Sequence, residues 1–125
     1  MRALAGYLPA LLWAGTLLFL GSRPAADFPS VDLPLDKPVH FALYGVLGAL
    51  AAVGWLRAGR RPPALLLLAG IWLLAAADEL HQGRVPGRSP ETWDWLMDVA
   101  GSGLAFAWVG RRGRRTDRDE ERHES

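Results

Sequence analysis

The polar and ionisable side chains with the most chemical potential fall in three short stretches. These are Asp36, Lys37, His40 and Tyr44, then Asp78, Glu79, His81 and Gln82, then Asp94 and Asp98. Helical spacing puts members of each stretch on one face. Lys37, His40 and Tyr44 follow one another at three and four residues, and Asp36 with His40, Asp78 with Gln82, and Asp94 with Asp98 are each four apart. Such a set can do three kinds of chemistry. Lys37, Arg84 and Arg88 can hold a phosphate or carboxylate by charge-assisted hydrogen bonds. Asp78, Glu79, Asp94 and Asp98 with His40 can supply a paired acid and base, or ligate a divalent ion, where carboxylates with one His suit Mg²⁺ or Mn²⁺ better than a structural zinc. Carboxyl groups and His can also relay protons through a membrane. The sequence lacks Gly-x-Ser-x-Gly, HExxH and Gly-rich phosphate-loop motifs, and with no cysteine it excludes thiol, iron–sulfur and Cys-zinc chemistry. Catalysis is therefore the weaker expectation, its candidates being Glu79, Asp78, His40 and Asp98. No metal or cofactor is specified.

The elements that must hold these groups follow from where charge is missing. The chain has 125 residues, half of them hydrophobic, with a net charge of +1. Its mean hydropathy of +0.09 hides four runs without Lys, Arg, Asp or Glu: Ala3 to Ser22, Pro38 to Leu56, Pro62 to Ala77 and Val99 to Gly110. A bilayer core of roughly 30 Å takes about 20 apolar residues in a helix. The runs, extended by their polar ends, predict an all-α membrane-spanning bundle of four transmembrane helices over about 3–22, 37–56, 62–82 and 92–110. A cleavable signal peptide is the alternative for the first run, disfavoured by its length and by Arg23. Residues 111–125 are expected to form a disordered cytoplasmic tail, basic and then mixed in charge.

Orientation follows from Lys and Arg. With both termini cytoplasmic, Arg2, Arg57, Arg60, Arg61 and six tail arginines lie inside, against Arg23, Lys37, Arg84 and Arg88 outside. All three polar stretches then meet at the outer end of the bundle. Packing alone is the competing account, with Arg84 and Arg88 neutralising the acids and His40 and Gln82 bonding across helices. Trp93 and Trp95 are expected at the outer membrane interface and Trp55 at the inner one. Gly45, Gly48, Gly101 and Gly103 are expected to let helices approach closely.

Three segments carry a family resemblance: DKPVHFALYGVLG from Asp36, ADELHQGRVPGRSPE from Ala77 and DWLMDVAG from Asp94. Together they resemble the VanZ-like family of small bacterial membrane proteins over about residues 35–110. The family pattern lands on Asp36, Lys37, His40, Phe41, Tyr44, Asp78, Glu79, Gln82, Arg88, Asp94 and Gly101. It departs at Asp98, where the family carries Asn. The resemblance implies a membrane protein of the cell envelope and a link to glycopeptide resistance of the teicoplanin type. The expected partners are the lipid bilayer and a cell-envelope lipid or glycan, bound through Asp36, Lys37, His40, Tyr44, Asp78, Glu79, Gln82, Arg88, Asp94 and Asp98. Nucleic acid is not expected. An enzyme acting on a lipid-linked phosphate or sugar is the second expectation, and proton-coupled transport by a homo-oligomer the third.

Overall fold

A computed structural model describes residues 2–24, 33–58, 60–87 and 90–125, with side chains left out for 2, 3 and 33–36. Within these residues the chain is helical and has no strand. A single turn, α1 (Arg2–Ala5), precedes four longer helices: α2 (Leu8–Gly21), α3 (Leu33–Arg57), α4 (Ala64–Gln82) and α5 (Thr92–Glu124). Successive helices alternate in direction. Tyr7 of the α1–α2 turn lies by Gly54 near the end of α3, and Gly21 at the end of α2 lies by Asp78 and Gln82 of α4.

Helices α3 and α4 are long and apolar enough to cross a membrane, over Lys37–Arg57 and Ala64–Gln82. The first expected span, by contrast, is not one helix. Pro9 has no N–H for the carbonyl four residues back and its ring would clash there, so the chain turns at Gly6–Tyr7 and restarts with Pro9 in the first turn of α2. The 14 residues of α2 give a helix of roughly 21 Å, short of a bilayer core. The tail expectation also fails. Helix α5 runs unbroken through 111–124, a segment rich in helix-forming Arg and Glu, and Asp117 is held by Arg61 of the α3–α4 connection at 3.2 Å.

In α4 and the first part of α5, many of the buried residues are polar. The buried residues of α4 are Ala75, Asp78, Glu79 and Gln82, whereas Leu65, Leu66, Leu73 and Leu80 are each about two-thirds or more exposed. Helix α5 likewise buries Asp94, Asp98, Gly101 and Ser102 and exposes Leu104 and Trp108. The apolar core is small: Tyr44, Leu47, Ala51, Ala52 and Trp55 of α3 meet Phe106 of α5, with Ala10, Leu17 and Ala75 alongside.

The α3–α5 seam is the tightest part of the molecule. A Cβ at Gly101 would fall on the carbonyl of Phe41, and one at Gly48 on the backbone of Ser102. Only glycine allows backbones this close, which is how helices pack where there is little hydrophobic drive between them. Gly103 meets only the edge of Trp72, an ordinary contact. Tryptophans add cross-ties to backbone carbonyls: Trp13 donates to Leu43 O at 2.9 Å and Trp95 to Trp72 O at 3.0 Å. Trp95 is thus packed inward rather than placed at an interface, and only Trp93 of the outer pair is exposed. Trp55 is a core residue as well. Its Nε1 donates to Pro62 O at 2.8 Å, while Arg61 and Arg114 lie over its ring.

Gly101→Val and Gly48→Val are expected to cost about 2 kcal/mol or more by overpacking against backbone. Gly15→Ala and Gly70→Ala, where an added Cβ meets nothing within 4 Å, should be neutral or slightly stabilising. Denaturant unfolding of the purified protein in detergent measures both.

Candidate functional site

The three polar stretches meet at one end of the bundle because each lies at the same end of its helix: the start of α3, the end of α4 and the start of α5. Gly87, with φ of +77°, sits in the left-handed region that favours glycine and helps turn the chain from α4 into α5.

The network begins at its open edge. Lys37 Nζ, about one-third exposed, donates to Glu91 Oε2 and Asp94 Oδ1, each at 2.5 Å. One helical turn deeper, His40 lies between two carboxylates, with Nδ1 3.0 Å from Asp98 Oδ1 and Nε2 3.7 Å from Asp94 Oδ2. Asp98 is 2% exposed, and Ser102 beneath it is fully buried, with its Oγ donating to the Asp98 carbonyl at 2.7 Å. On the α4 side, Tyr44 Oη donates to Asp78 Oδ2 at 3.1 Å, and Gln82 Nε2 donates to the same oxygen at 3.3 Å. The Glu91 backbone N–H donates to Glu79 Oε1 at 2.6 Å, joining the end of α4 to the start of α5.

The arrangement brings together Lys37, His40, Tyr44, Asp78, Glu79, Gln82, Asp94 and Asp98. Arg88 lies outside the described residues, as does the side chain of Asp36. Arg84 and His81 are exposed and outside the network. Lys37, expected to hold a ligand anion, is instead paired with Glu91 and Asp94. Of the two arginines expected to hold an anion or to neutralise the acids, Arg84 is exposed and makes no ion pair among the described residues, and Arg88 lies outside them. Sequence reasoning also passed over Glu91 and Ser102. Glu91 stands three residues before Asp94 at the edge of the same helix, a signal that was present, whereas Ser102 reads as an ordinary small residue of an apolar run.

Among the described residues, five carboxyl groups of the network face one ammonium and one imidazole. Asp78 Oδ1 is buried without a hydrogen-bond partner, and a Cβ on Gly21 would stand 2.6 Å from it. The described side chains of the site are thus rich in hydrogen-bond acceptors. Among the described residues, no group of three or more His, Asp or Glu side chains is placed to hold a metal ion. No family model, curated protein or solved structure matches the chain.

Lys37→Ala should destabilise the protein by about 3 kcal/mol, because it leaves buried Asp94 without its ammonium partner. Arg84→Ala should stay within about 0.5 kcal/mol of the parent. A Tyr44→Phe/Asp78→Asn cycle should give a coupling of about 0.6 kcal/mol, as for other hydrogen bonds between membrane helices. Unfolding in detergent with each variant checks all three.

Proposed function

We propose that the chain is a VanZ-like integral membrane protein that crosses the bilayer four times with both termini cytoplasmic. Its outer polar network binds the head of a cell-envelope lipid or glycan. The observation that carries this reading is the junction of three distant sequence segments in one acceptor-rich network at one end of an otherwise lipid-suited bundle. The outward-turned leucines of α4 and the inward-turned carboxyls of α4 and α5 support membrane burial, since an apolar exterior around a polar interior is stable in lipid and not in water. α1 and α2 together supply the apolar length that α2 alone lacks. In α5 the buried Asp94 and Asp98 face the bundle, which lowers the cost of carrying them across. The ten-to-four division of Lys and Arg supports the orientation.

The ligand class follows from the acceptors. Sugar hydroxyls or an amino group can donate to Glu91 at the open edge, with the buried carboxyls of Glu79 and Asp94 behind it and exposed Trp93 nearby in sequence to cover an apolar face. A link to teicoplanin-type resistance belongs to the same reading, through the cell-wall precursors that such drugs engage. An enzyme is the second reading, favoured by His40 standing between Asp98 and Asp94, where a proton can pass between imidazole and carboxylate.

A polyprenyl-linked disaccharide should raise the melting temperature of the purified protein in neutral detergent. The rise should be lost in Asp98→Asn and Glu79→Gln and kept in Arg84→Ala. Absence of any rise with lipid-linked or soluble glycans would refute the binding reading, and turnover of the lipid-linked sugar would favour the enzyme.

A further inference from the structure

At the end of the bundle opposite the acidic network, α5 continues past Gly110 to Glu124 with its charges sorted by face. Arg111, Arg114, Arg115, Arg118 and Arg122 recur at helical spacing and form a stripe about 100° wide. Glu120 and Glu124 lie opposite the stripe and Asp117 to one side of it, while Asp119 and Glu121 border its two edges. Gly113 abuts Leu56 of α3 and Asp117 accepts from Arg61, so that side of the helix is turned toward the bundle; Arg114, at the edge of the stripe, lies over the Trp55 ring, and the middle of the stripe looks away. Arg111, Arg114, Arg115 and Arg118 alone line a shallow groove of about 230 Å³, and among the described residues none of the four is ion-paired. The stripe starts where the exposed apolar face of α5 ends. Leu104 and Trp108 are both largely exposed, and Arg112 lies over the Trp108 ring at 4.4 Å.

We propose that this arginine face binds the phosphate groups of anionic phospholipids in the leaflet surrounding the cytoplasmic end of the bundle. The inference rests on the membrane reading above. Arg111 lies about one turn from Trp108 and Arg115 about two, so the Arg111 side chain reaches back to headgroup depth and Arg115 stands one turn further out. Guanidinium groups hold phosphate oxygens through two parallel hydrogen bonds, and the groove between Arg111 and Arg118 is lined by arginine alone, while Asp119 joins Arg115, Arg118 and Arg122 around the neighbouring one. Arginines outnumber acids on this face, and each adds to binding where it comes close to the lipid surface.

The full chain, purified in neutral detergent, can be titrated with short-chain phosphatidylglycerol, phosphatidylcholine and inorganic phosphate, with the melting temperature as readout. Phosphatidylglycerol should raise it and the other two should not. Arg111→Gln/Arg115→Gln, with Arg57, Arg60 and Arg61 intact and helix content unchanged, should need roughly 25-fold more phosphatidylglycerol, about fivefold per arginine. Glu120→Gln/Glu121→Gln and Asp98→Asn should respond like the parent. Equal response to phosphatidylcholine or to inorganic phosphate, or an undiminished response in the double arginine variant, would overturn the proposal. A chain that stays soluble without detergent would instead refute the membrane reading on which it rests.

Discussion

The energy of a buried carboxyl group constrains nearly everything else in this molecule. Asp78, Glu79, Asp94 and Asp98 are each more than nine-tenths buried, while leucines of α2 and α4 are exposed. A carboxylate there is stable only where donors reach it, and removing a donor leaves the penalty unrelieved. Helix α3 therefore has to present Lys37, His40 and Tyr44 toward α4 and α5, and the three helix ends have to coincide. Glycines at 48 and 101 let α3 and α5 approach until these side chains meet. The seam and the network thus depend on each other, since close backbones set the reach of the donors and the donors hold the ends together.

The two ends of the bundle solve different problems with the same few residue types. At one end carboxyls outnumber cations and are drawn inward. At the other, arginines outnumber acids and are turned outward, except for Arg61 and Arg114, which close over Trp55. The near-zero net charge of the chain is the sum of these two opposed ends. Between them the helices expose many leucines together with Phe19 and Phe41.

The location of the candidate site was legible in the sequence, because polar residues bounded by long uncharged runs can gather only at helix ends. The i, i+4 pair of Asp78 and Gln82 is a direct bond in the structure. Pairing across helices was harder to read. Spacing along one helix cannot show that Lys37 meets Glu91 and Asp94 rather than a ligand, because that depends on the rotation of α3 against α5. The same limit concealed Trp55, whose position near a helix end resembles an interface residue until its indole is found bonded to Pro62. The helical tail was obscured by composition. Mixed charge argues for disorder when counted, but for helix when its Arg and Glu are read for propensity and Asp117 is paired with Arg61 of another segment. In the first run, the Pro9 signal was present and outweighed by the apparent length of the apolar stretch.

The proposal most open to direct test is that the acidic network faces outward from a membrane whose other side holds the arginine end. The cysteine-free chain makes this directly measurable by labelling single-cysteine variants in intact cells with a membrane-impermeant maleimide. The account predicts that a cysteine at Trp93 is labelled in intact cells, whereas one at Glu120 is labelled only after the membrane is opened. Labelling at Glu120 but not Trp93 in intact cells, or full protection of neither, would contradict it.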